Sequence, residues 1–332
     1  MRSLLTATLV PLLASCFAPS PAVEAAAAEE LVRSLQADLA VPVREAFATT
    51  PDGIRLYYRV AGEGDEVVLA PFALYHGKSL DALARGRRVV TYDPRGRGQS
   101  AAAPLDWVGV DYLLTDLDTV RQAVGAERVS IIGWSGAGME MFVYALRNPE
   151  RVVRLVQLAP VTARAEPYTG QMLADRERRT DPTAAAALKA RVDAGEFANA
   201  PAAHCRARTA VTGGALMADP ASRQLVPDVC GWPNEHPETI GRYFGALWPS
   251  ISTFDWRSSL PRVSIPRLVI YPLQDNITRA GVEEWVRGQP NARILYVDRS
   301  GHFPHYEQPE QTIAAIDRFL SGEWPADARA LP

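Results

Sequence analysis

Apolar positions along this chain recur with two periods, and each period predicts a different kind of element. Short runs rich in Val, Ile, Leu and Tyr predict strands at 55–60, after the Pro51-Asp52-Gly53 turn, and then at 66–69, 88–92, 129–132, 155–158, 267–271 and 293–297. Helical spacing appears over 111–124, where Leu113, Leu117, Val120 and Val124 share one face and Gly125 ends the run. A second helix is expected over 138–147, before Asn148-Pro149, and a last one over 312–320, with Ile313, Ile316 and Leu320 aligned. Strands that alternate with helices build a mostly parallel sheet flanked by helices on both faces, an α/β architecture.

The pattern breaks between 161 and 258. That stretch is rich in Ala, Arg and Pro, has no clear strand, and shows one evident helix at 181–194 with Pro182 in its first turn. It reads as a helical cap inserted into the sheet domain. The core is then 43–160 and 259–322, followed by a short tail, 323–332. Of 332 residues, 47% are hydrophobic and 22% charged, enough for a large core and too apolar for global disorder. With 35 basic against 38 acidic residues, the net charge of −3 argues against nucleic acid as a partner.

The first residues look like an address. A basic start, an apolar stretch from Leu4 to Leu13 and then Leu13-Ala14-Ser15-Cys16 resemble a bacterial lipoprotein signal, with 1–15 removed and Cys16 lipidated. Residues 16–42 would form a tether and a short helix, with Leu31, Leu35 and Leu39 at helical spacing. The expected location is then outside the cytoplasm, periplasmic or on the outer surface, anchored to a bacterial membrane. An ordinary secretory signal cut near 25–28 is the alternative. Export into an oxidising compartment favours a disulfide between the two remaining cysteines, Cys205 and Cys230, over a pair of buried thiols.

The most informative stretch is Gly133-Trp134-Ser135-Gly136-Ala137, where a buried strand runs straight into a helix. So sharp a turn requires small residues two before and two after the serine, and Gly133 and Ala137 meet that need. The serine hydroxyl is lifted clear of the sheet, and the Gly136 N–H at the helix start faces the same space, where it favours developing negative charge. A dinucleotide fingerprint would need glycine at Met141. A serine needs a base and a third group to orient that base. Of five histidines, His302 follows a late strand, and Asp275 follows the strand before it. Asp298 competes for the acid role but stands only a few residues before His302.

The order Ser135, Asp275, His302 resembles that of the α/β-hydrolase fold superfamily. Four pieces carry the likeness: Asp93-Pro94-Arg95-Gly96-Arg97-Gly98-Gln99-Ser100, the Gly133-Trp134-Ser135 turn, Gln274-Asp275, and Ser300-Gly301-His302 with Glu307-Gln308-Pro309-Glu310. Together they look like a cap-bearing serine hydrolase similar to prolyl aminopeptidases and small esterases. The resemblance implies a cofactor-independent reaction on a small-molecule ester or related acyl compound. Ser135 would attack, His302 would shuttle the proton and Asp275 would orient the imidazole. Relatives carry His-Gly after the third strand; here Ala70-Pro71 stands instead, and by position the Phe72 N–H becomes the second oxyanion donor. A prolyl aminopeptidase, with Glu166 or Glu235 recognising the substrate amine, and a non-catalytic binding protein on the same fold are the alternatives. No metal is expected, since His302 and His305 lack a third ligand at suitable spacing. His76-Gly77 reads as loop, Trp134 as pocket or core, and Arg85, Arg87 and Arg88 as a solvated basic run.

Overall fold

The computed structural model describes residues 41–332. The expected signal, the tether with Cys16 and the helix at 29–40 lie outside the described residues. Eight strands form one sheet: β1 (Val43–Thr49), β2 (Arg55–Ala61), β3 (Val67–Pro71), β4 (Arg88–Tyr92), β5 (Val129–Trp134), β6 (Val152–Leu158), β7 (Arg267–Pro272) and β8 (Ala292–Val297). Their spatial order is β1-β2-β4-β3-β5-β6-β7-β8. Only the β1–β2 and β2–β4 pairs are antiparallel, and the other five pairs are parallel. A parallel sheet needs cover on both faces, so its strands are apolar on both sides. Every residue of β3, β5 and β7 is buried accordingly.

Among the described residues ten α-helices accompany the sheet: α1 (Ala73–His76), α2 (Val110–Ala123), α3 (Gly136–Arg147), α4 (Tyr168–Arg179), α5 (Pro182–Asp193), α6 (Pro201–Thr212), α7 (Pro237–Ile251), α8 (Arg279–Glu283), α9 (Pro304–Glu307) and α10 (Pro309–Leu320). Two apolar layers result. Val129 and Ile131 of β5 face one layer, which Leu117, Val120 and Phe142 from α2 and α3 complete together with Trp285. Ile132 and Trp134, offset by one position, face the other, which holds Leu83, Ile316 and Phe319. The alternation of β5 between two cores is the two-residue period of a strand made visible.

Helices α4 to α7 lie between β6 and β7, in the stretch that the sequence marks as an insertion. Cys205 on α6 and Cys230 are joined, with an S–S distance of 1.97 Å, so the expected pairing is present. Strand β1 has no counterpart in the sequence reading. Of its residues only Ala48 is fully buried, so no apolar alternation announces it. The basic run at 85–88 is not simply solvated. Arg87 is buried against Glu66 and Asp317, and Arg88 donates to the carbonyls of Gly64 and Val124 at 2.9 and 2.7 Å.

Candidate active site

Parallel neighbours end at the same edge, and the site collects there. β5 delivers Ser135 one residue past its end, and α3 begins immediately. Ser135 takes φ 57° and ψ −127°, a conformation that costs on the order of 1–3 kcal/mol for a residue with a side chain. The surroundings hold it there. Its N–H donates to the Leu158 carbonyl at 3.0 Å, and its own carbonyl accepts from Gly138 and Val161. The close turn explains Gly133: a Cβ there would stand 2.3 Å from the Ala137 carbonyl oxygen. Ala137 is fully buried under the same turn.

The loops after β7 and β8 supply the rest. His302 Nε2 lies 2.8 Å from Ser135 Oγ, and His302 Nδ1 lies 3.0 Å from Asp275 Oδ2. With Nδ1–H donating to the carboxylate, Nε2 is left to accept the serine proton. The structure therefore brings Ser135, His302 and Asp275 into one relay, while Asp298 turns away to accept from the Gln274 side chain at 2.9 Å. The two loops are stitched to each other: the Gln274 side-chain oxygen Oε1 accepts from Ser300 N–H at 2.9 Å, and Gln274 backbone N–H donates to the Ser300 carbonyl at 3.0 Å. Glu307 accepts from the N–H groups of Gly301 and Ala218 at 2.7 and 2.8 Å, which ties the histidine loop to the cap. Burial raises the Glu307 carboxyl above its usual range, against the pull of those N–H groups. The His302 N–H reaches the Leu216 carbonyl at 2.6 Å, a second tie to the cap. On the far side, Arg179 of α4 donates to the carbonyls of Gln274 and Asp275.

Trp134 settles between pocket and core on the side of packing. Its indole N–H donates to the His302 carbonyl at 2.7 Å, and its ring stands 4.9 Å from the imidazole. Phe72 lies one residue past β3, which runs parallel to β5 with Val68 opposite Ser130 and Leu69 opposite Ile131. Extending that register sets Phe72 level with Trp134, at the same edge as Ser135. Phe72 adopts φ 68° and ψ 53°, left-handed for a residue with a ring. Gly136 is the first residue of α3, where the N–H has no acceptor within the helix. His76, expected in a loop, instead ends α1 with its ring fully buried 5.2 Å from the His305 ring. Both imidazoles are buried, and burial holds His76 down at about 4 and His305 well below its usual value.

The motif Asp93–Ser100 follows β4 and is structural. Asp93 accepts from the N–H groups of Leu74 and Gln99, and a Cβ at Gly98 would collide with that carboxylate at 2.1 Å. Glu166 is exposed. Glu235 is buried, and its oxygens are taken by Arg97 and by the Gly98 N–H. Sequence reasoning missed the Arg97–Glu235 contact entirely.

A half-buried serine at a strained strand-to-helix turn, with a histidine and a buried carboxylate behind it, has the chemistry of acyl transfer to water. A sequence model described as alpha/beta hydrolase fold matches residues 72–309. The chain belongs to the α/β hydrolase fold family. Relatives of this hydrolase act on different bonds. It is 25% identical over 277 residues to a pimeloyl-[acyl-carrier protein] methyl ester esterase of Nitrosomonas europaea, covering 79% of this chain and 98% of that protein. It is also 25% identical to a proline iminopeptidase of Lactobacillus delbrueckii, covering 76% of this chain and 90% of the relative. In structure, an esterase from Exiguobacterium antarcticum superposes with a TM-score of 0.63 at 17% identity, over 84% of this chain and all of the other. The protein is thus a hydrolase with an eight-stranded, mostly parallel sheet.

Proposed function

We propose that this hydrolase cleaves a small ester or related acyl compound through an acyl-enzyme on Ser135. The observation that carries the reading is the unbroken relay from Ser135 Oγ through His302 to Asp275, with contacts of 2.8 and 3.0 Å. In the reaction, Ser135 Oγ bonds to the carbonyl carbon as its proton passes to His302 Nε2. The carbonyl oxygen becomes an oxyanion that the N–H groups of Phe72 and Gly136 receive. Collapse breaks the bond to the leaving oxygen, which takes the proton from His302. Water, deprotonated by the same imidazole, then releases the acid and restores Ser135. Asp275 keeps its proton count throughout and stabilises the imidazolium. No cofactor enters the scheme.

A fluorophosphonate probe is expected to label Ser135 in the wild type and not in Ser135→Ala. The same replacement should lower turnover of short p-nitrophenyl esters by several orders of magnitude. Folded wild-type protein that neither takes the label nor cleaves any ester of the panel would overturn the proposal.

Likeness to proline iminopeptidases supports a second reading, release of N-terminal proline. Glu235 is a poor receptor for a substrate amine, since both its oxygens are engaged. Cleavage of a proline arylamide faster than matched esters would favour the peptidase. We further propose that the protein is exported and held to a bacterial membrane by lipid on Cys16, on the strength of the Leu13-Ala14-Ser15-Cys16 sequence. Radioactive palmitate should label the wild type, and Cys16→Ser should move the protein out of the membrane fraction; an unlabelled wild type would end that part.

A further inference from the structure

The absent His-Gly pair leaves a physical question. Phe72 holds a left-handed backbone that its side chain disfavours, and the preceding Pro71 has no N–H with which to anchor the turn. The Phe72 carbonyl accepts from Tyr75 and His76, which fixes one side of the residue. The other side is its ring, and over that ring sits the Arg97 guanidinium, 5.2 Å from the centroid.

Arg97 comes from the core turn after β4, yet its partner comes from the cap. Its Nε and Nη2 donate to the two oxygens of Glu235 at 3.0 and 2.9 Å, and both residues are about 1% exposed. Tyr243 and Phe244 of α7 present their rings to the same guanidinium at 5.3 and 5.5 Å. The cation is therefore clamped between Phe72 below and the cap above. Replacing a buried ion pair by apolar residues of similar size is often neutral or stabilising, so net stability is a weak reason for this pair. What the pair does supply is fixed geometry: a planar, two-point contact that allows the guanidinium only one orientation over the ring.

We propose that Arg97 is a positioning residue for the Phe72 amide, and that Glu235 completes the oxyanion site from the cap. The inference rests on the serine-hydrolase reading above. Its consequence is that the site is fully formed only while the cap is docked, because the clamp that orients the second donor is half made of cap residues. Arg97 is spent on Glu235 and the aromatic rings, so it acts through Phe72 rather than on the substrate.

The test is a double-mutant cycle on the full chain with a short p-nitrophenyl ester. Arg97→Lys keeps a cation for Glu235 but loses the flat face over the ring, and Phe72→Leu keeps the backbone N–H but loses the ring. Loss of a whole oxyanion donor costs about 10²–10³ in kcat, so a displaced one should cost about tenfold. Each single variant is expected to lose about tenfold in kcat with KM within about twofold, and the double variant to lose no more than the worse single. Unchanged kcat in folded Arg97→Lys would overturn the inference. So would losses that multiply in full, or a rise in KM at constant kcat. Melting curves accompany each assay; if Arg97→Lys melts below the assay temperature, Arg97→Met with Glu235→Leu removes both charges and is read in the same way. Wild-type turnover that Ser135→Ala abolishes but Arg97→Lys leaves intact would sink this inference alone, whereas an inert wild type would sink the reading beneath it.

Discussion

Arg95 and Arg97 stand two positions apart in one turn, both buried and both paired, and they serve different ends. Arg95 points back into the core. Its guanidinium meets Asp116 of α2 at 2.7 Å and Asp52 of the β1–β2 turn at 2.7 Å, and its N–H also reaches Asp116 at 2.9 Å. Arg97 points outward to Glu235, a residue 138 positions away in the cap. The first pair binds the sheet to its own helix and hairpin. The second joins two modules over the reacting centre. Similar chemistry therefore fixes the packing of the core in one direction and the shape of the site in the other, and the two can be separated by experiment.

The largest effect is expected from Arg95→Met. It leaves Asp116 buried without its cation, which should lower the unfolding free energy by about 3–5 kcal/mol. Denaturant titration reads that loss, while kcat per folded molecule should stay within about twofold of wild type. A stable Arg95→Met with collapsed kcat would invert the comparison. Next comes the cap's own fastening. Cys205→Ser, which opens the Cys205–Cys230 link, should cost about 3 kcal/mol by loss of loop closure in the unfolded chain. Hydrogen exchange should quicken over α6 and the segment before α7, with β5 and β7 unchanged. Equal quickening in those strands would show that cap and sheet unfold as one unit.

The smallest effect sharpens the boundary between the two clamps. Glu140 on α3 is buried, and that burial pushes its carboxyl up from 4.5 to about 7, with Arg97 pulling down and Asp116 pushing up. The folded protein thus keeps a proton that the unfolded chain gives up. Wild type has this stabilisation in full below about 4.5 and loses it as pH climbs through about 7, whereas Glu140→Gln has no such slope. The melting midpoint of Glu140→Gln should therefore gain on wild type by a few °C between about pH 5 and pH 8, and then level off. A constant offset across that range would refute the buried acid.

What the sequence made legible follows from what each segment must bury. The strands at 129–132, 155–158 and 267–271 are mostly apolar, broken only by Ser130, Gln157 and Arg267, because the sheet is covered on both faces. Helix α2 was readable to within one residue at each end, since Leu113, Leu117 and Val120 all face the core. The turn around Ser135 is readable because the close packing there demands small residues at 133 and 137. Asp275 and His302 followed from strand order. The cap resisted the same logic. No residue of α5 is buried, and α6 buries only Cys205, so neither shows an apolar stripe. Pro182 marks the start of α5 in the sequence, and Pro201 and Pro237 open α6 and α7 in the same way, although neither helix is evident from sequence. His76 reads as loop because it stands well past the end of the third strand, and nothing in the local sequence signals the second imidazole at 305. Arg97 was silent for a related reason: its meaning lies wholly in a distant partner.

On the proposed mechanism the nucleophile belongs to the strands made before the insertion, and its base and acid to those made after it. A ribosome must therefore deliver the chain beyond His302 before any imidazole can meet Ser135. Until then, on that mechanism, the elbow serine has no base and stays an ordinary alcohol. The split placement works as a built-in delay: reactivity arrives last, with the closing strand of the sheet.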